Sequence, residues 1–294
     1  MSIKVCIGGE LLDEADATVS VFDRGFLYGD SVFEVMRTYG GRPYAEAAHL
    51  DRLRVSAEKI YIPVEVDDAV IEDEVRQTLE AAGNDESYVR VVITRGSGPL
   101  SYDPTTARDP LRVVIVTPLS LPPREIYEDG VAVVCVRQPR PTEGGRAAGT
   151  KASNYLANLL AAHQARQQGG YEAILLGAHG AVLEGASSNV FVVNDGQVRT
   201  PRLESGILAG ITRATVLEAA AEEGVRCIET ALFPRDLYDA EEVFITSSIR
   251  EVVPVVRVDE RPIGAGVPGP VSRRLHAAFR RRVAASLGLD GPMG

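Results

Sequence analysis

The chain carries only three lysines, Lys4, Lys59 and Lys151, although Lys and Arg together number 31. Arginine stays protonated in proteins, so chemistry that needs a neutral primary amine falls on those three side chains. Lys151 stands in "GTKASNYLANLLAAHQAR", between a glycine-rich loop running from Gly144 to Gly149 and an apolar run. One reading is a solvated lysine beside a helix start. The other is a nucleophile, because a desolvated lysine loses its proton more readily and can form an imine with an aldehyde.

Pyridoxal phosphate is the common aldehyde cofactor that uses a lysine in this way. It makes two further demands. Its ring nitrogen needs a carboxylate partner if the ring is to accept electrons. Glu184 in "AVLEGASSNVFVV" is the candidate, on the same strand face as Val182, against the alternative of an edge or turn glutamate. Its phosphate needs a cradle. "GILAGITRATVLEAA" runs from glycine-punctuated turns into a helix start, where the N–H groups of Ile211 and Thr212 would face an anion. The Thr212 hydroxyl would add a bond there or cap the helix. "FITSSIRE" supplies Thr246, Ser247 and Ser248 at a turn, a second hydroxyl-rich anion site. Arg52 in "HLDRL" lies beside an apolar stripe, placed either to grip phosphate with its fork or to snorkel to solvent.

These residues need elements to position them. "IKVCIGG" and "DATVSVF" read as strands, and "SVFEVMRTYGGRPY" as a hairpin turning at Gly40-Gly41. "AEAAHLDRLRVSAEKI" has helical spacing, with Leu50, Leu53, Ala57 and Ile60 on one stripe. "DDAVIEDEVRQTLEAAGN" predicts a second helix stopping at Gly83-Asn84. "SYVRVVITRGSG" and "LRVVIVTPL" are strands, and the proline-rich "SLPPREIYEDG" reads as a connection. A strand, "VAVVCVRQPRP", precedes the Gly144–Gly149 loop. "YEAILLGAHGAVLEGASSNVFVVNDGQVRTP" predicts a strand meander, and "GITRATVLEAAAEEG" a helix with Thr212 as N-cap and Gly224 as stop. Two strands and a terminal helix follow; its arginines 273, 274, 280, 281 and 282 read as a solvated face. The expected class is mixed α+β with much antiparallel sheet, in two domains: 1–118, a linker 119–130, and 131–294.

Totals narrow the function classes. A net charge of −10 argues against nucleic acid or an anionic membrane as the partner. No apolar run approaches the roughly 20 residues that cross a bilayer. The first residues lack a signal-peptide shape, and three scattered cysteines suit a reducing, cytoplasmic compartment. Four histidines without ligand spacing make a metal site no part of the expectation.

Taken together, "DRGFLYGDSVFEVMRTYGG", "HLDRL", "TRGSG", "KASNYL", "LEGASSNVF", "GILAGITR" and "FITSSIREVVPV" resemble the class IV, fold-type IV pyridoxal-phosphate aminotransferases, over nearly the whole chain. The family includes branched-chain and D-amino acid aminotransferases, (R)-amine transaminases and aminodeoxychorismate lyase. The resemblance implies a small N-terminal α/β domain, a larger domain, the cofactor between them, and a homodimer whose loops close each other's sites. It implies that Lys151 is the Schiff-base lysine and catalytic proton carrier, Glu184 the pyridine-nitrogen partner and Arg52 the phosphate arginine. Tyr155 would meet the phenolic oxygen and Leu208 the ring. Gly210, Ile211, Thr212, Ser247 and Ser248 would cradle the phosphate.

The resemblance also points to amino acids and 2-oxo acids as substrates. Tyr88 and Arg90 fall on one strand face by alternation. They resemble the Tyr-x-Arg of branched-chain members, and Phe33, Ser248 and Ile249 are the further substrate-facing candidates. Leu100 and Tyr102 stand where D-amino acid members often carry Arg and His. Arg24 and Arg250 read either as carboxylate ligands or as salt-bridge arginines. The leading expectation is an aminotransferase on L-branched-chain amino acids with 2-oxoglutarate as acceptor. A D-amino acid or (R)-amine transaminase, the related lyase, and a non-catalytic binding protein of the same fold are the alternatives.

Overall fold

The computed structural model describes residues 2–137 and 145–289. It divides into two compact units, one of residues up to Ser120 with Thr150–Tyr155, the other of the remainder. The chain is mixed α and β throughout.

Unit 1 is built on one antiparallel sheet. Its elements are β1 (Lys4–Ile7), β2 (Glu10–Asp13), α1 (Arg24–Tyr28), β3 (Ser31–Tyr39), β4 (Arg42–Pro43), α2 (Glu46–Lys59), α3 (Asp68–Ala82), β5 (Ser87–Thr94) and β6 (Arg112–Pro118). The strand order is β2-β1-β6-β5-β3-β4. The β3–β4 hairpin turns on Gly40 and Gly41, both at positive φ, and pairs Tyr39 with Arg42. That conformation suits a two-residue turn and is unstrained only for glycine. Alternation along β5 sends Val89, Val91 and Ile93 into a core closed by Leu50, Leu53 and Ala57 of α2 and Ile71 and Val75 of α3.

The expected strand at 16–22 is absent. The chain turns at Asp16, whose N–H bonds Asp13 O, and Val19, Val21 and Phe22 are exposed. The period-2 pattern is real, but among the described residues no ladder partner or covering layer receives it.

Thr150–Tyr155 joins unit 1 through backbone bonds. Phe33 N–H donates to Lys151 O at 3.0 Å and Ser153 N–H to Ser31 O at 2.9 Å, beside a Val32–Ala152 bridge. The segment therefore extends β3 on the strand that carries Phe33 and Glu34.

Unit 2 contains α4 (Glu125–Glu128), β7 (Val131–Arg137), α5 (Leu156–Gln167), β8 (Glu172–Leu176), β9 (Val182–Gly185), β10 (Asn189–Asn194) and β11 (Gln197–Thr200). There follow α6 (Ile211–Glu222), β12 (Cys227–Glu229), α7 (Pro234–Tyr238), β13 (Glu242–Ser247), β14 (Glu251–Val258), β15 (Arg261–Pro262) and α8 (Pro270–Leu287). The sheet order is β12-β11-β10-β13-β14-β7-β8-β9, with β15 on β14. The expected meander over 171–201 is thus two hairpins, β8–β9 and β10–β11, separated by β13, β14 and β7. Alternation reveals a strand and its faces; it does not choose a distant partner. The β7–β8 and β7–β14 pairs are parallel.

Helix α6 begins one residue after Gly210, which is its N-cap, so Thr212 is the second helical residue and not the cap. A Cβ at Gly210 would overlap Asn189 Oδ1, which excludes any side-chain cap there. Gly224, at φ +67, lies just past the helix end as expected. Nor is the arginine face of α8 merely solvated. Arg274 and Arg281 pair with Glu223 at the end of α6, Arg282 with Glu218 and Glu222 of α6, and Arg280 reaches the buried Glu251.

Candidate active site

In unit 1 the first functional group is a buried charge cluster. Strand β3 carries Glu34, fully removed from solvent, in an otherwise apolar stretch. Helix α2 brings His49 and Arg52, three residues apart and so on one face. Arg52 Nε and Nη2 donate to the two Glu34 oxygens at 2.7 and 2.6 Å, a two-pronged grip. His49 Nδ1 lies 2.7 Å from Glu34 Oε2. Burial pushes the Glu34 carboxyl up, but Arg52 and His49 outweigh it and hold the group at about 2. His49 is pulled below its ordinary value, first by burial and further by the positive Arg52 and Lys151, against the pull of Glu34. Arg52 thus sits as a fixed cation within electrostatic reach of the region that holds Lys151.

Lys151 is half-buried, and its backbone N–H donates to Ser56 Oγ of α2 at 3.3 Å. Its Nζ lies 4.7 Å from the Phe33 ring and 6.0 Å from the Tyr155 ring. Phe33 and Tyr155 meet edge-to-face at 5.4 Å. The Arg90 guanidinium stands 3.9 Å from the Phe33 centroid. An amine and an arginine therefore share one aromatic ring. Tyr88 and Arg90 are both part-exposed and alternate with buried Ser87, Val89 and Val91, as the strand period required. The buried hydroxyls of Thr150 and Ser153, flanking Lys151, have no hydrogen-bond partner among the described residues.

Arg24 has a different setting. Its Nε donates to Asp30 at 3.0 Å and its Nη1 to Ser101 O at 2.7 Å. Nη1 thus ties α1 to the 98–103 loop, while Nε is paired with Asp30 just beyond the helix.

In unit 2 the buried Glu184 ends the β9 ladder. Its Oε2 accepts Asn189 Nδ2 at 3.3 Å and the Leu208 N–H at 3.1 Å; Asn189 also donates to Leu208 O at 3.0 Å. Asn189 thereby ties Glu184 to the turn that leads through Gly210 into α6. The N–H groups of the first α6 turn have no intrahelical acceptor, a setting that favours an anion. At the β13–β14 turn, Thr246 is buried with its hydroxyl unpartnered among the described residues. Ser247, Ser248, Ile249 and Arg250 are all part-exposed.

Arg250 is held on every nitrogen. Nε donates to Ser247 Oγ at 3.0 Å, Nη1 to Glu172 Oε2 at 2.9 Å, and Nη2 to Ser187 O and Oγ at 3.0 and 2.9 Å. Burial alone would lower its pKa, but Glu172 and Tyr171 raise it overall.

The residues present fit pyridoxal phosphate on these observations. A lysine lies beside an aromatic ring, a buried carboxylate is oriented by an amide and a backbone N–H, a glycine cap opens a helix start, and unpartnered buried hydroxyls flank both Lys151 and the β13–β14 turn. The sequence reading gave no role to Glu34, His49, Asn189 or Glu172. Their signals were present: a carboxylate amid the apolar run Val32–Met36, a histidine one helical turn before Arg52, and a carboxylate opening an all-apolar strand.

Comparison with known proteins converges on one family. The profile described as "Amino-transferase class IV" matches residues 31–258. A Methanocaldococcus jannaschii protein provisionally named a branched-chain-amino-acid aminotransferase is 38% identical over 278 residues, covering 95% of this chain and 96% of its own. A Bacillus licheniformis D-alanine aminotransferase is 31% identical over 281 residues, covering 96% and 97%. The crystal structure of the Escherichia coli branched-chain amino acid aminotransferase superposes with a TM-score of 0.92 at 29% identity, covering 100% of this chain and 98% of that one. A further branched-chain amino acid aminotransferase, solved with pyridoxamine 5'-phosphate, gives 0.90 at 28% identity over 96% and 94%. The profile spans well over half of the chain and these relatives span nearly all of it: the chain belongs to the class IV aminotransferases and is a pyridoxal-phosphate transaminase.

Proposed function

We propose that the enzyme moves an amino group between an L-branched-chain amino acid and a 2-oxo acid such as 2-oxoglutarate. The observation that carries the reading is the Phe33 ring shared by Lys151 Nζ and the Arg90 guanidinium. A cation for a carboxylate thereby stands beside the amine that handles the Cα proton, and the flanking surface is aromatic and apolar. The 38% identical relative named for branched-chain amino acids supports the same substrate class.

Bound pyridoxal phosphate supplies an electron sink for the charge left on Cα when its proton departs. Lys151 is the residue that would hold the cofactor, and its amine, once released, would carry the substrate Cα proton. Glu184, oriented by Asn189 and the Leu208 N–H, would face the ring nitrogen and favour its protonated form. Tyr155 would meet the phenolic oxygen. In unit 1 Arg52, set by Glu34, is the group that would balance phosphate charge; in unit 2 the α6 start from Gly210 to Thr212, with Ser247 and Ser248, would do the same. In unit 1, Arg90 and Tyr88 would orient the substrate carboxylate beside Phe33.

The test is a half-reaction screen. Holoenzyme mixed separately with L-leucine and D-alanine should lose its cofactor absorbance with L-leucine. A response to D-alanine alone would overturn the substrate assignment and favour the second reading, D-amino acid transamination, which rests on the 31% identical D-alanine enzyme. Borohydride reduction followed by peptide mapping should place the cofactor on Lys151; finding it on Lys4 or Lys59 refutes the assigned amine.

A homodimer belongs to the same proposal. Val19, Val21, Phe22, Phe26, Leu100 and Tyr102 of unit 1 are exposed apolar side chains, Tyr102 by 92%, and Leu156, Leu159 and Leu160 of α5 are likewise uncovered. So much exposed apolar surface marks an association site. A cytoplasmic location completes the reading, supported by three cysteines that are all free thiols.

A further inference from the structure

The β13–β14 turn is held from both ends. Register pairs Ser247 with Glu251, leaving Ser248, Ile249 and Arg250 as a three-residue loop. Such loops close on a residue in the left-handed region, usually glycine. Here Glu251 fills that position at φ +57 and is buried. His276 Nε2 at 2.6 Å and Arg280 Nε at 2.7 Å, both from α8, grip its carboxylate. A non-glycine residue keeps this conformation only where its surroundings enforce it.

The second hold is Arg250. One guanidinium bridges three chain segments: the end of β13 at Ser247, the start of β8 at Glu172, and the β9–β10 connection at Ser187. Glu172 Oε2 also accepts Ser187 Oγ at 2.9 Å and Ser188 Oγ at 3.4 Å. Ser188 precedes Asn189, which orients Glu184. A continuous polar path therefore runs from the Ser247–Ser248 turn to the carboxylate assigned to the ring nitrogen.

We propose that Arg250 and Glu172 are positioning residues whose ion pair fixes the Ser247–Ser248 turn to the Glu184–Asn189 segment, setting the spacing at which unit 2 receives the cofactor. The inference rests on the functional reading of Glu184 and Ser248 given above. It replaces a direct substrate role for Arg250. All three nitrogens of that side chain are engaged, and a substrate carboxylate would have to displace Glu172. Glu172 is only 3% exposed and would then be a buried charge without its partner. A guanidinium suits the task because its planar fork reaches several acceptors at fixed angles, which an ammonium cannot do.

The experiment uses R250M, R250K and E172Q. The dissociation constant for pyridoxal phosphate is measured by titrating apoenzyme and following cofactor absorbance, and KM and kcat for L-leucine are measured at saturating cofactor. R250M and E172Q should weaken cofactor binding by about tenfold or more, as loss of a ligand-orienting partner does. KM for the amino acid should stay within about twofold. R250K should fall between wild type and R250M. Cofactor affinity within about twofold of wild type in folded R250M would overturn the proposal, even with a lower melting temperature, because a merely structural role predicts that result. A KM raised about tenfold with unchanged cofactor affinity would overturn it too, by restoring Arg250 as a substrate ligand. If R250M does not fold, R250K and the near-isosteric E172Q decide by the same two constants. Wild-type protein that takes up no cofactor would sink the functional reading itself, a result separate from any difference between variants.

Discussion

Glu34 shows how much a single buried carboxylate can organise. It has no solvent contact, yet Arg52 and His49 keep it ionised, and in return it holds the Arg52 guanidinium in one orientation. E34Q preserves the shape and removes the charge. The expected outcome is a pyridoxal-phosphate affinity about tenfold weaker, read by cofactor titration, because the assigned phosphate arginine is no longer fixed. Lys151, Arg52 and Glu184 stand out in the sequence as candidates because their types are chemically distinctive and their flanks unusual. Their partners do so less. Glu34 and Glu172 look like ordinary strand residues until the fold brings an arginine to each. Arg24 and Arg250 were ambiguous for the same reason: an arginine's role depends on what its fork meets, and only contacts distant in sequence decide that.

At the scale of elements, two short features concentrate the constraints. Helix α6 starts where Asn189 leaves no room for a side chain, so G210A must push that amide away from Glu184 or displace the helix start. Overpacking of this kind typically destabilises by about 1–3 kcal/mol. Here it should also weaken cofactor binding, measured by thermal unfolding and by titration on the same variant. Helix α2 carries the opposite kind of feature in its first turn. Burial, with repulsion from Glu72, pushes the Glu46 carboxyl up to about 7, and its Oε1 is buried without a hydrogen-bond partner among the described residues. A raised carboxyl favours the protonated native state, so this group makes the protein more stable as pH falls from about 7 towards 4.5. E46Q should stabilise the protein at pH 8 by about 1 kcal/mol, after allowance for partial solvent screening, and should flatten that slope. Denaturant titrations at pH 5 and pH 8 would measure both.

For the whole molecule, acid stability is a property the charge pairs determine. Glu34 in unit 1 and Glu251 in unit 2 are each held at about 2 against an ordinary 4.5; in each case arginine and histidine partners outweigh the upward push of burial. Depressed carboxyls stabilise above the unfolded value, and that contribution fades as pH falls from about 4.5 to about 2. Each accounts for no more than about 3 kcal/mol. Denaturant midpoints should drop steeply over this window, and E34Q or E251Q should flatten the drop. The proposed homodimer predicts that the wild-type protein sediments at twice the chain mass and that replacing the exposed Phe26 and Tyr102 with serine brings it to the chain mass; wild-type protein at the chain mass would refute the dimer. By itself the sequence determined the mixed α+β class, the hairpin at Gly40-Gly41 and the helix Glu46–Lys59, and it singled out a lysine, a carboxylate and an arginine as candidates for holding a pyridoxal cofactor, because local periodicity and side-chain chemistry are written residue by residue. Only the tertiary structure decided that the 16–22 pattern is uncovered surface, that two hairpins stand apart in one sheet, and that Arg250 meets Glu172. Those outcomes depend on which distant segments pair, and the energy of a pairing belongs to neither segment alone.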